Sequence, residues 1–151
     1  MKSLLFLALT LLSAGAATQP VATVAGTTTQ TRNGLVGPWK LVSLEEQSAD
    51  GQVHHVDCSG LFVFTENGRA SVQVMYRTAR NGSAYSKGGY EASFGSYHVD
   101  SSSTFTFHIE GSIVRTLIGK GLKRTYEITG DRLTVKSTDP NEHWKVIWER
   151  Y

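Results

Sequence analysis

Arg124 and Tyr126 stand two residues apart in Leu122-Lys123-Arg124-Thr125-Tyr126-Glu127-Ile128. On a strand, that spacing puts both on one face with Leu122 and Ile128. A cation and a phenol among apolar side chains allow two readings. In one, Arg124 holds a ligand carboxylate and Tyr126 a carbonyl or hydroxyl. In the other, the pair belongs to an internal network with Glu91 or Glu45, because a buried charge needs a partner. His98 and His108, with Tyr97 beside the first, form a second set. Neutral imidazoles near pH 6.5 serve as general acids or bases. His108 is kept as a cavity candidate even though it alternates with Phe107, which reads as core.

Other patterns point to less chemistry. His54-His55-Val56-Asp57-Cys58 mixes metal-binding residue types, but adjacent histidines on a strand point apart and one cysteine does not complete a four-ligand site. The run reads as a polar loop. There is no Gly-x-Ser-x-Gly elbow, and Gly119-Lys120-Gly121 lacks the length and context of a phosphate loop. Lys120, Lys123 and Arg124 read as a solvated basic rim. No catalytic residue is assigned, and neither a cofactor nor a metal is expected.

The elements that position these residues are strands. Alternation predicts eight of them, near 37–46, 59–65, 69–77, 92–99, 103–110, 121–129, 131–137 and 143–151. Asn67-Gly68 predicts a two-residue hairpin with both residues at positive φ. Gly130-Asp131 and Asp100-Ser101-Ser102 mark two more turns. Only a short helical turn in the 77–90 loop is allowed for. The inward set is then Phe105, Phe107, Leu122, Tyr126, Val135 and Trp148. Up-and-down strands joined by tight turns favour a closed antiparallel barrel, with a two-sheet sandwich as the other solution. Gly37, Trp39 and Arg150 are expected to close it, the guanidinium lying on the indole; Arg124 is the rival partner for Trp39. The long loops 78–91 and 111–120 follow the third and fifth predicted strands, so both fall at one rim, the expected mouth.

The N-terminus and composition bound the setting. Met1-Lys2-Ser3, an apolar run and Ala14-Gly15-Ala16 predict a signal peptide over 1–16, cut before Ala17. The apolar run is too short to span a membrane. Residues 17–34, rich in Thr and Gly, read as a flexible leader, and 35–151 as one domain. The net charge of +2 falls to about +1 without Lys2, which suits neither nucleic acid nor an acidic membrane. Cys58 is the only cysteine, so stability rests on the core. Asn81-Gly82-Ser83 is a glycosylation sequon.

Several segments carry a family resemblance. They are Val36-Gly37-Pro38-Trp39-Lys40-Leu41-Val42-Ser43, Gly60-Leu61-Phe62-Val63-Phe64-Thr65-Glu66-Asn67-Gly68-Arg69, Ser71-Val72-Gln73-Val74-Met75, Gly95-Ser96-Tyr97-His98-Val99-Asp100, His108-Ile109-Glu110, Gly130-Asp131-Arg132-Leu133-Thr134-Val135 and Trp148-Glu149-Arg150. Gly37-x-Trp39 resembles the lipocalin signature, and the ordered set resembles a bacterial and fungal lipocalin-like family of calycin type over most of 36–151. The chain departs from it at Ile113-Val114-Arg115-Thr116-Leu117-Ile118-Gly119, where related sequences often carry a Pro-containing turn. The resemblance implies an all-β barrel of eight to ten strands. The expected function is a secreted or periplasmic barrel binding a small, mostly apolar molecule, with Tyr97, Phe105, Phe107, His108, Arg124, Tyr126 and Trp148 as the candidate lining. No membrane anchor is expected in the mature chain. Two other functions stand beside it. One is a cofactor-independent cyclase or isomerase in which Tyr97, His108, Arg124 or Tyr126 polarises a carbonyl. The other is an interaction module using the outer surface.

Overall fold

Period-two alternation governs most of the chain, as in Arg69–Tyr76, where every second residue is buried. The computed structural model describes residues 34–78 and 84–151. The expected signal peptide (1–16), all of the leader but Gly34, and the sequon at Asn81-Gly82-Ser83 lie outside the described residues.

The strands are β1 (Gly37–Gln47), β2 (Val53–Val56), β3 (Cys58–Phe64), β4 (Arg69–Tyr76), β5 (Tyr90–Ser101), β6 (Thr104–Ser112), β7 (Gly121–Thr129), β8 (Arg132–Ser137) and β9 (Trp144–Arg150). Each pairs antiparallel with the next around the sheet from β3 to β9, and β9 returns to β1. The sandwich alternative is therefore replaced by a closed barrel. β2 and β3 occupy successive stretches of the same edge of β1: Leu44 pairs with Val56 and Lys40 with Leu61. They behave as one strand broken at Asp57, which leaves eight positions around the barrel.

Three local expectations are corrected. His54 and His55 sit in β2, not in a loop, paired with Glu46 and Glu45 on β1; β2 is short and exposed, so its alternation left little apolar trace. The Asn67-Gly68 hairpin is not the two-residue kind. Among the described residues no non-glycine has positive φ, so within this hairpin Asn67 is not left-handed and Gly68, at φ +80°, is. Gly68 N donates to Thr65 O at 3.1 Å and Thr65 N to Arg69 O at 2.9 Å, a longer loop ending in a glycine bulge. Finally, the helical turn lies at Arg115–Leu117 in the β6–β7 connection, while the described part of the 77–90 loop holds none. Leu117 is buried against the core, which anchors that turn.

The strand directions give the barrel two unlike ends. At one end lie the turns 65–68, 102–103 and 130–131. At the other lie the connections 77–89, 113–120 and 138–143, so both long loops do share a rim. The short-turn end is packed solid: Trp39, Phe105 and Leu133 have no exposed surface and Phe64 almost none. Phe64 meets Tyr97 and Phe105 edge-on at 5.0 and 5.5 Å between ring centres, the preferred aromatic geometry.

Closure works through the expected trio. Trp39 pairs with Arg150 across the β1–β9 seam, and the guanidinium lies 4.2 Å from the indole centre. The same guanidinium donates to Gly34 O at 2.6 Å and Val36 O at 2.9 Å. Trp39 Nε1 donates to Leu35 O at 2.7 Å. Gly37 takes φ +125°, a conformation side chains disfavour, and a Cβ there would sit 3.0 Å from Arg150 Nη1. Arg124 is not the partner of Trp39; it stands at the other end of the barrel.

Candidate functional site

The loop-rich end encloses a cavity of about 100 Å³. One water needs only ~10–15 Å³, so side chains do not fill this barrel completely. The walls are mostly apolar and aromatic and include Leu41, Phe62, Phe107, Leu122 and Trp148. Each comes from the inward face of its strand. Phe62 and Trp148 meet edge-on at 5.5 Å across the interior, forming the base of the space.

Polar groups gather at the mouth. Arg124, on the inward face of β7, is 9 % exposed. Its guanidinium lies between two rings, 5.2 Å from the centre of Tyr85 and 5.0 Å from that of Trp144. Nη2 donates to Tyr85 Oη at 2.8 Å, and Nη1 to Lys123 O at 3.0 Å and Ser137 Oγ at 3.3 Å. Glu142 Oε2 balances the charge at 3.7 Å. Tyr85 Oη in turn donates to Glu142 Oε1. Tyr85 belongs to the β4–β5 connection and Glu142 to the β8–β9 connection, so this chain of contacts ties two rim loops over one arginine. Burial and the Glu142 carboxylate push the Tyr85 phenol up to about 12, which keeps it a donor at every physiological pH.

Glu91 differs. It follows Tyr90 at the start of β5, opposite Val74, and lines the cavity. Its carboxyl makes no hydrogen bond among the described residues. Desolvation pushes its pKa up to about 7, against the opposing pull of Arg124. Two indole donors, Trp144 Nε1 and Trp148 Nε1, are also buried without a hydrogen-bond partner among the described residues.

The structure separates the expected site residues into three groups. Phe105, Phe107, Arg124 and Trp148 line the cavity. Tyr97 and Tyr126 face inward but belong to the packed end, where Tyr97 Oη donates to Thr65 O at 3.1 Å and Tyr126 Oη to Ser101 O at 3.5 Å. His108 is corrected: it lies on the outer surface, its ring stacked on that of His98 at 6.3 Å. His98 Nε2 meets Asp100 Oδ1 at 2.8 Å outside the barrel. Alternation with the inward Phe107 sends His108 out, the stronger of the two signals weighed for it. The four groups considered for carbonyl polarisation, Tyr97, His108, Arg124 and Tyr126, therefore do not converge. Of the two partners considered for Arg124, Glu91 acts on it through space, while Glu45 pairs on the surface with Lys145 at 2.6 Å. Tyr85 and Glu142 were missed because they sit in loops, where no periodic pattern marks a direction.

A lipocalin-like protein from Bacteroides uniformis shares 19 % identity, covering 78 % of this chain and 99 % of its own, with a TM-score of 0.49. An uncharacterized protein from Bacteroides eggerthii shares 18 % identity over the same proportions, with a TM-score of 0.48. No curated protein matches the sequence. The model of the lipocalin-like domain matches residues 36–151, the whole barrel from the seam at β1 to the end of β9, and the chain belongs to that family.

Proposed function

We propose that this protein is a secreted or periplasmic lipocalin-like barrel that binds a small, mostly apolar molecule in its interior. The cavity at the loop-rich end carries the reading: it is open space enclosed by apolar and aromatic walls, with a few polar groups gathered at one side. That composition is usual for small-molecule sites. An eight-stranded barrel has room for one small ligand at most, and a volume of about 100 Å³ suits a single ring better than a long acyl chain. Trp144 and Trp148 line the space, so ligand entry should alter tryptophan fluorescence.

Native mass spectrometry of protein purified from its host tests the reading. A copurifying small molecule lost on unfolding is the expected result. Protein that carries no adduct and whose fluorescence and heat of mixing do not respond to benzyl alcohol overturns it. The same spectrum checks export: the mature mass should begin at Ala17, and a mass that includes Met1 and Lys2 overturns the secretory assignment.

A further inference from the structure

We propose that the cavity takes a small apolar amine, with its protonated nitrogen seated on the carboxylate of Glu91. This rests on the reading of the barrel as a binder of small apolar molecules and names the chemistry of that ligand.

Two charged groups of the cavity, Arg124 and Glu91, are in unlike states. Among the described residues Arg124 is the cation of the cavity, and it already holds three hydrogen-bond acceptors. Its donors reach Tyr85, Lys123 O and Ser137, Glu142 balances its charge, and rings cover it at about 5 Å. A ligand carboxylate would have to compete with those contacts and with the Glu142 carboxylate. Glu91 is in the opposite state. It lines the cavity, is only partly exposed, and accepts no hydrogen bond among the described residues. A carboxylate in an apolar cavity lacks what an ammonium supplies, a full positive charge and several N–H donors.

The remaining charges point the same way. Among the described residues, the titratable and charged groups that share the cavity or its rim with Glu91 are Arg124 from β7, Tyr85 from the β4–β5 connection, Glu142 from the β8–β9 connection, Glu46 from β1 and Tyr76 from β4. Among the described residues, Glu91 and Glu142 face the Arg124 guanidinium. With Glu142 matched to Arg124, the Glu91 carboxylate is left over, which repels an anionic ligand and attracts a cation. The walls agree, because Phe62, Phe107 and Trp148 line the space with aromatic rings, a surrounding that suits a cation with an apolar body. An incoming ammonium would favour ionised Glu91, so below neutral pH its binding should drive one proton from the carboxyl into solvent.

Isothermal titration with benzylamine, benzyl alcohol and benzoate tests this, since the three share a ring and differ in charge. Benzylamine is expected to bind at least about tenfold more tightly than benzyl alcohol, and benzoate most weakly. At pH 6, heats measured in buffers of different ionisation enthalpy should show proton release with benzylamine alone. In Glu91→Gln, which replaces a carboxyl by a neutral group of the same shape, the preference for amine over alcohol should fall below threefold and the proton release should vanish. Circular dichroism confirms that the variant is folded. Equal affinities for amine and alcohol, tighter binding of benzoate, or an amine preference that survives Glu91→Gln overturns the proposal while leaving a binder of apolar molecules. Binding of none of the three overturns that underlying reading and this one with it.

Discussion

The barrel sets an arginine on a tryptophan at each end, and the two pairs do different things. Arg150 lies 4.2 Å from Trp39 and spends its donors on the main-chain carbonyls of Gly34 and Val36. Arg124 lies 5.0 Å from Trp144 and is held largely by side chains, two of them from rim loops. The first pair is surrounded by residues with no exposed surface. The second borders a cavity. Main-chain acceptors move only when the fold moves, whereas loop side chains can rearrange while the strands stay paired. The same cation–aromatic chemistry therefore acts as a fastening at one end and as an adjustable wall at the other.

The comparison breaks most visibly at Trp39. Trp39→Ala removes the indole that both Arg150 and Leu35 O engage, and should destabilise the fold by about 3–5 kcal/mol, seen as a large fall in the urea midpoint or as insoluble expression. An unchanged midpoint with weakened ligand binding would instead place Trp39 in the pocket wall. At the other end, Arg124→Met should cost about 1–3 kcal/mol because it strands the partly buried Glu142. Adding Glu142→Gln should recover a good part of that loss in a double-mutant cycle. If the second substitution recovers nothing, the arginine is as architectural as Arg150 and the contrast between the ends fails.

Glu91 sharpens the contrast through pH. Its folded pKa, about 7, is raised above the ordinary 4.5, so its protonated form favours the folded state. That stability is present in full below about pH 4.5 and is lost as pH rises through about 7. Glu91→Gln should abolish this loss, making the variant more stable than the parent at pH 8 by on the order of 2 kcal/mol, with the gap closing toward pH 4.5. Parallel stability curves for the two proteins would show that the carboxyl is not desolvated. The smallest effect should come from Tyr85→Phe, which removes the hydroxyl between Arg124 and Glu142. It should lower stability by about 1 kcal/mol while leaving the closed end untouched, so amide exchange should quicken at the rim and not around Trp39.

The barrel was legible because its signals are local and repeated. Phe105, Phe107 and Ile109 on β6, or Leu133 and Val135 on β8, announce their faces by spacing alone, and all are buried. Trp39 and Arg150 were legible because a closed barrel must join its first and last strands. The site was read less completely. Arg124 declared itself as a charge on an apolar face, but Tyr85 and Glu142 reach it from irregular connections, where no period fixes direction. Tyr97 and Tyr126 were placed on the correct face and assigned to the site, yet alternation gives a face and not a height along the barrel. Both lie too near the packed end to meet the cavity. β2 escaped because a four-residue strand with burial only at Val56 has nothing to alternate against.

The seam between β1 and β9 also governs the order in which this protein takes shape. Arg150 reaches carbonyls 114 and 116 residues earlier in the chain, close to the longest separation that the barrel allows. Until β9 arrives, β1 and β8 each present a bare edge, and the indole of Trp39 lacks its guanidinium cover. Contacts so far apart in sequence make for slow folding, because the chain must surrender its loop entropy before the last strand rewards it. The vulnerable species is thus an eight-segment open sheet with two sticky margins. A chaperone that shields those margins until β9 docks would bear directly on the yield of this protein.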